Sequence, residues 1–309
     1  MNGFLVENGG MQSSIQDAGR VGVSDIGLTQ SGAMDEYAFG YANLLLGNPF
    51  NTSVIEVALG GMILRARGNF SIALCGASMP CSLNGESIEM WQTYTLKEDD
   101  ILSFGFATSG NFAYIAVMGG FLTPFTYGSF STSIKEGLGG VEGRKLLKGD
   151  FLACESRVLK NKRKVENPWL PIYAKEVVLR VVLGYQSDLF SKAQHDTFFN
   201  TPYMYKGEGD RMGYRLSGEK IIPKATGILS EPICFGAVQI PSHGEPIVLL
   251  KERQTIGGYP KIGSVLCVDC FKLAQLRAGG VVKFEVIELE EAGAKARAFY
   301  RFFLSSKLS

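Results

Sequence analysis

The sequence lacks any long apolar run: none approaches the roughly 18 to 20 residues that span a bilayer, which argues against a membrane helix. Histidine is scarce, two residues in 309. His195 and His243 leave little room for a Ser-His-Asp triad, and no Gly-x-Ser-x-Gly elbow accompanies them. His243, in "PSHGEP", reads as a turn residue; His195 lies in a helical stretch and is no better supported. Net charge is nearly absent, with 31 basic against 30 acidic residues, so no overall field draws the chain to nucleic acid or a membrane surface. The P-loop pattern G-x-x-x-x-G-K-[ST] is missing. The glycine cluster from Gly137 to Asp150 comes nearest, but no Ser or Thr follows its lysine to hold Mg²⁺. A Met-Lys-Met biotin-attachment site is missing as well. The first ten residues, "MNGFLVENGG", have neither the basic nor the apolar part of a signal peptide, and the expected compartment is the cytoplasm.

Six cysteines are present, mostly within apolar segments, which suits reduced thiols packed as small hydrophobes. The single C-x-x-C, "CVDC" at Cys267 to Cys270, resembles a zinc half-site, but no second pair follows, and no metal site is expected.

Glycine, in contrast, is plentiful, at 38 residues. Between the glycines lie short apolar runs rich in β-branched and aromatic residues, such as "FSIALCGAS", "NFAYIAVMGG", "VVLRVVLG" and "PICFGAVQI". These predict many short strands joined by tight turns. Asn84-Gly85 is a hairpin signal, because a type I′ turn needs positive φ at both central residues. A polar or glycine turn followed by an apolar strand recurs in "LKEDDILSF", "LLKGDFLAC" and "LRAGGVVKF", which favours barrel-like sheets over a parallel βαβ fold. One strong helix is expected in "SGAMDEYAFGYANLLLGNP", with Ser31 as its cap and Gly47 and Pro49 at its end. Weaker helical patterns run from about Ser187 to Asn200 and through "EEAGAKARAFYRFF". The basic, proline-containing stretch from Lys160 to Pro171 breaks both periodicities and reads as a linker. The expected organisation is therefore mainly β with a few helices (α+β): an N-terminal domain over 1–165, a C-terminal β-barrel over 166–290 and a helical tail over 291–309.

Five polar segments carry residues that packing does not call for: "SIQDAGRVG", "SGAMDE", "GDRMGYRL", "AVQIPSHGEPIVLL" and "KERQTIGGYPKIG". The last, Lys251 to Gly263, interrupts two expected strands, "IVLL" and "SVLCV". Arg211 and Arg215 lie four apart with Tyr214 between them and could grip a carboxylate or phosphate, with Asp210 orienting a guanidinium; solvated charges at a strand end are an equal reading for either arginine alone. Gln239 can hydrogen-bond an amide-like substrate through both ends of its side chain, and reads equally as a buried structural glutamine. Glu252 is the candidate general base or substrate-orienting group. Gln254, Thr255, Tyr259 and Lys261 supply donors at the rim of the glycine loop, where Gly257 and Gly258 let backbone N–H groups approach a ligand and Pro260 stiffens the return. Asp17 and Arg20 can form an ion pair that locks the first loop, a structural role set above direct catalysis. Asp35 complements a helix dipole.

In order along the chain, these segments resemble the family of the 5-oxoprolinase C subunit, also described as the biotin-dependent carboxyltransferase or allophanate hydrolase subunit 2-like family. The resemblance rests on Gln16-Asp17 with Gly19-Arg20, Ser31-Gly32-Ala33 with Asp35, Ala42 to Pro49, Gly128 to Thr132, Gly139 to Arg144, the unbroken Asp210 to Leu216, and Gln254 to Pro260. It implies tandem cyclophilin-like β-barrel domains and a cytoplasmic protein that works with B-like and A-like oxoprolinase subunits. The implied reaction is ATP-dependent opening of 5-oxoproline to L-glutamate, with ATP and Mg at a site shared with or supplied by a partner. On that reading Glu252, Arg211 and Tyr214 are catalytic. Gln239, Gln254, Thr255, Gly257, Gly258, Tyr259, Lys261 and Arg215 bind substrate, and Gln16, Asp17, Arg20 and Asp35 support the site. Two alternatives stand beside it: carboxyl transfer from carboxybiotin on another chain to urea or a related amide, and a regulatory binding protein that sequesters a kinase inhibitor resembling the B-like oxoprolinase partner. Two positions depart from the family pattern. Phe130 replaces a common arginine and removes a fixed cation; Glu252 replaces a common aspartate and keeps the charge.

Overall fold

In the computed structural model, which describes residues 2–225 and 227–305, the short apolar runs form twenty strands and four α-helices. The chain divides into two units. The first comprises residues 1–21, 31–173 and 301–309, the second residues 22–30 and 174–300. The division falls eight residues beyond the expected boundary near 165. A short N-terminal segment belongs to the second unit, and the C-terminal helix is divided at Tyr300 rather than forming a separate tail.

The first unit holds β1 (Gly3–Gly9), β2 (Gln12–Gln16), α1 (Glu36–Leu46), β3 (Val54–Ala58), β4 (Met62–Arg67), β5 (Phe70–Ser78), β6 (Cys81–Leu83), β7 (Glu86–Ile88), β8 (Gln92–Leu96), β9 (Ile101–Phe104), β10 (Ser109–Val117) and β11 (Phe151–Ala153). They form a six-stranded sheet, β11-β1-β4-β9-β6-β7, and a five-stranded sheet, β2-β3-β10-β5-β8. Side chains from both sheets, among them Phe4, Ile15, Ile55, Leu64, Phe70 and Ile115, fill one core. The expected hairpin lies between β6 and β7, with Asn84 and Gly85 at φ 54° and 85°, the left-handed values a type I′ turn requires. Helix α1 is capped by Asp35, not Ser31: the Asp35 carboxylate accepts from the N–H groups of Tyr37 and Ala38 at 3.0 and 3.2 Å. Ser31 sits four residues earlier at φ 52°, fully buried. Gly47, at φ 71°, ends the helix in the left-handed conformation, where glycine has no Cβ penalty.

The second unit holds β12 (Glu176–Leu183), α2 (Lys192–Asn200), β13 (Tyr203–Gly209), β14 (Gly213–Ser217), β15 (Glu231–Pro232), β16 (Ala237–Gln239), β17 (Ile247–Leu249), β18 (Ile256–Gly257), β19 (Lys261–Val265), α3 (Cys267–Ala274), β20 (Gly280–Val286) and, up to Tyr300, α4 (Leu289–Ser305). Seven strands close a barrel in the order β12-β19-β16-β17-β14-β13-β20, and β20 returns to β12 in parallel. Strand β15 pairs with β18 in a separate ribbon. The expected "SVLCV" strand stops at Val265, and its cysteine opens α3. Asp269 accounts for the change: its carboxylate, in the first turn of α3, receives the Arg180 backbone N–H at 3.1 Å and its guanidinium at 2.7 and 2.8 Å, so the helix start is tied to β12. Among the described residues no helix is long and apolar enough to cross a membrane.

Candidate active site

A cavity of about 420 Å³ lies in the second unit, walled by β13, β14, β16 and β17 and by the chain between β17 and β19. Gln239, Gln254, Arg215 and Tyr259 line it, with Glu208, Asp210 and the apolar Ile247 and Leu249. Gln239 is 1% exposed. Its Oε1 accepts from Gln254 Nε2 at 3.3 Å, whereas its own Nε2 has no hydrogen-bond partner among the described residues. A buried amide donor left unpaired costs on the order of 1–3 kcal/mol, a cost that a ligand oxygen in the cavity would remove. Arg215 reaches the same cavity from β14 and has no ion-pair partner among the described residues.

The glycines of the loop act differently from the expectation. A Cβ on Gly257 would stand 2.6 Å from Ile233 Cδ1 and 3.0 Å from Gln239 Nε2; one on Gly258 would stand 2.9 Å from the Ile228 carbonyl oxygen. Neither has positive φ. They admit neighbouring protein atoms, and Gly257 makes room for the amide pair itself. Thr255 uses its backbone carbonyl to accept from Ile233 N–H at 3.0 Å. Nor is the stretch from Lys251 wholly a surface loop. Lys251 is 1% exposed, with its ammonium 4.7 Å from the Phe235 ring centroid, and Lys261 to Gly263 already belong to β19.

The two arginines of "DRMGYRL" part company. Arg211 precedes β14 and is buried against Glu252, Nε to Oε1 at 2.6 Å; neither lines the cavity. Asp210 closes the turn by accepting from Met212 N–H at 2.7 Å. Tyr214 also lies outside the cavity lining: its hydroxyl donates to the Ala274 carbonyl at 2.9 Å, and its ring stacks on Tyr205 with centroids 4.2 Å apart. Of the three residues the resemblance marked as catalytic, Arg211 and Glu252 thus hold each other and Tyr214 packs against α3, while Arg215, Gln239, Gln254 and Tyr259 converge. Glu208 is a lining residue that no sequence motif singles out. Its signal was its place two residues before Asp210, at a β13 bulge that pattern alone does not reveal.

The four supporting residues lie in the first unit and tie its motif segments together. The Asp17 carboxylate accepts from Gly19 N–H at 2.8 Å, Ser129 Oγ at 2.6 Å, Phe130 N–H at 2.7 Å and Ser131 Oγ at 2.5 Å. Arg20 Nη2 donates to the Ser131 carbonyl at 2.6 Å. Gln16 donates to the Thr132 carbonyl at 3.1 Å and accepts from Gly32 N–H at 3.1 Å. Beyond its capping role, Asp35 accepts from Tyr173 Oη at 3.0 Å. Arg144 clamps Asp150 through two bonds of 2.8 and 3.0 Å. Phe130, in place of the common arginine, packs on Phe125 with ring centroids 4.8 Å apart. All six cysteines are free, and burial pushes the Cys81 and Cys154 thiols up to about 12. Among the described residues no cluster of His, Cys, Asp and Glu is placed to hold a metal ion.

The family model of the carboxyltransferase domain, subdomains A and B, matches residues 26–286. The chain belongs to this family. Within it, the chain is 34% identical to the 5-oxoprolinase C subunit of Haemophilus influenzae, an alignment spanning 95% of this chain and 94% of that one. It is equally 34% identical to the 5-oxoprolinase C subunit of Escherichia coli over the same shares. The crystal structure of Kluyveromyces lactis urea carboxylase superposes with a TM-score of 0.90 at 27% identity, covering 97% of this chain but 29% of that much longer one. These likenesses agree with the strand-rich architecture and with the closed barrel that carries the cavity.

Proposed function

We propose that this carboxyltransferase-family chain is the C subunit of an ATP-dependent 5-oxoprolinase, opening 5-oxoproline to L-glutamate together with A-like and B-like subunits in the cytoplasm. The observation that carries the reading is the buried Gln239 amide nitrogen, unpartnered among the described residues, in a cavity that Arg215 also lines. 5-Oxoproline is a lactam with one carboxylate. The Gln239–Gln254 pair offers both an amide donor and an amide acceptor, matching the ring N–H and C=O, and a guanidinium suits a carboxylate bidentately. Ring opening adds water across the amide C–N bond: the carbonyl carbon becomes the new carboxylate, and the nitrogen becomes the α-amino group. Near-complete alignment with two 5-oxoprolinase C subunits supports the same reading.

The Glu208 and Asp210 carboxylates set against one lining guanidinium, Arg215, are a poor charge match for a bare triphosphate, and on this reading ATP and Mg bind at a site shared with or supplied by the partner subunits. The expected outcome for the three-chain set is ATP consumption that depends on 5-oxoproline and yields glutamate, with this chain alone inactive. Absence of 5-oxoproline-dependent ATP turnover in the complete set would defeat the reading.

The 0.90 superposition on urea carboxylase favours carboxyl transfer to an amide as the second reading. The two separate at Arg215. Urea carries no carboxylate, so Arg215→Gln impairs turnover of 5-oxoproline and leaves a urea-directed reaction nearly intact.

A further inference from the structure

Beside the amide pair lies a polar cluster that none of the foregoing uses as a unit: Tyr185, Gln186, Glu231 and Lys261. Glu231 sits on β15 opposite Gly257, and Lys261 opens β19 opposite Gln239. The Lys261 ammonium is 2.6 Å from Glu231 Oε1. Gln186 Nε2 donates to that same oxygen at 2.7 Å, and the Tyr185 hydroxyl donates to Oε2. Gln186 also accepts the Lys261 backbone N–H at 2.9 Å, so the lysine is held at both its main chain and its tip. Lys261 first and Tyr185 second hold the Glu231 carboxyl below the ordinary range.

Directly opposed residues of an antiparallel pair project from the same face, with Cβ atoms about 5 Å apart. A bulge between Val238 and Gln239 sets the register that brings Gln239 opposite Lys261, and bulges commonly re-aim side chains in this way. Both side chains carry buried donors with unused capacity. Gln239 Nε2 has no acceptor among the described residues, and Lys261 Nζ has its ion pair with Glu231 but no well-directed hydrogen bond. The register thus sets two donors with spare capacity on one face of the sheet, the cationic Lys261 behind the cavity lining and Gln239 in the cavity wall, an arrangement suited to an oxygen that carries or gains negative charge.

We propose that Lys261 and Gln239 form a donor pair for the carbonyl oxygen of a bound amide, and that Glu231, braced by Tyr185 and Gln186, is the positioning residue that holds the lysine there. The proposal rests on reading the cavity as an amide site and adds its charged half. When a nucleophile attacks an amide carbon, the C=O electron pair moves onto oxygen, and a fixed cation beside that oxygen stabilises the charge as it forms.

The test uses full-length protein and three probes: 5-oxoproline, 2-pyrrolidinone and urea. The expected calorimetric result is that at least one probe binds wild type and that Lys261→Met weakens it by about tenfold or more, the usual scale for losing a charged hydrogen bond. Lys283→Met, which removes an exposed lysine paired with Glu176, leaves binding unchanged. A second measurement needs no variant to fold: probe addition to labelled wild type shifts the side-chain NH₂ resonances of Gln239 and the Nζ resonance of Lys261. In Glu231→Gln the Lys261 response shrinks while the fold, read by circular dichroism, persists; a merely structural glutamate would not uncouple the two. Lack of binding by every probe, unmoved resonances, or equal affinity in folded Lys261→Met would each overturn the donor pair. Binding of urea or 2-pyrrolidinone without 5-oxoproline would leave the donor pair standing and defeat the oxoprolinase reading instead.

Discussion

At the scale of single residues, the pairing of Arg211 with Glu252 decides how a loss of function should be interpreted. Both are nearly excluded from water, and breaking a buried pair by neutralising one member costs about 3–5 kcal/mol. Glu252→Gln is therefore expected to lower unfolding free energy on that scale in a denaturant titration, and Arg211→Met combined with Glu252→Leu to recover most of the loss. A Glu252 that served chiefly as a base would give the reverse: unchanged stability and lost turnover. Gly257 calls for a different experiment, because its absent Cβ leaves room for Gln239 Nε2 and Ile233. Gly257→Ala is expected to displace the amide and weaken amide-probe binding several-fold, with an overpacking penalty of about 1–3 kcal/mol. Unaltered binding measured by calorimetry would show that the cavity wall does not depend on this contact.

At the scale of elements, strand positions were legible because alternation and turn chemistry act locally. Asn84-Gly85 turned where its backbone preference dictates, and the apolar runs after "KEDD", "KGD" and "RAGG" became β9, β11 and β20. Misreadings arose where a distant partner decides. The choice between Ser31 and Asp35 as cap depends on what lies beyond the helix, and Asp35 N–H is itself held by Tyr114 Oη at 2.8 Å, seventy-nine residues away. Likewise, no local pattern announces that Arg211 faces Glu252 while Arg215 faces a cavity, because β14 begins between them. The motif segments were recognisable, but their physical work was not. Asp17 gathers the Ser129 to Ser131 loop, a role visible only once residues more than a hundred positions apart meet. The cap assignment yields a direct check. Asp35→Ala is expected to cost about 0.5–2 kcal/mol, the usual range for losing an N-cap, while Ser31→Ala, whose hydroxyl has no hydrogen-bond partner among the described residues, costs little. Equal effects in thermal denaturation would contradict the assignment.

At the scale of the whole molecule, near-zero net charge leaves the dependence of stability on pH to particular carboxylates and thiols. Arg144 holds the Asp150 carboxyl below its ordinary value against the opposing effect of burial. For Asp269, burial raises the carboxyl, but the bonds from Arg180 and the nearby Lys272 outweigh it and the net direction is down. Glu231 is lowered by Lys261 and Tyr185. Unfolded carboxyls titrate near 4, at about 3.9 for Asp and about 4.3 for Glu, so on acidification the unfolded chain takes up protons before the native one does. The stabilisation from these pairs is present above that range and lost as pH falls through the depressed native values. On the alkaline side the buried Cys81 and Cys154 thiols, pushed up to about 12, stay protonated while unfolded thiols ionise near 8.5. Their contribution is full below that value and lost as pH rises toward the native one. A melting temperature recorded against pH should therefore rise from about pH 3 to about pH 5, hold level through neutrality and decline above about pH 9. Asp269→Asn is expected to lower the neutral plateau and flatten the acid limb together, since the same Arg180 contacts produce both. A lowered plateau with an unchanged acid limb would mean that Asp269 acts through packing alone.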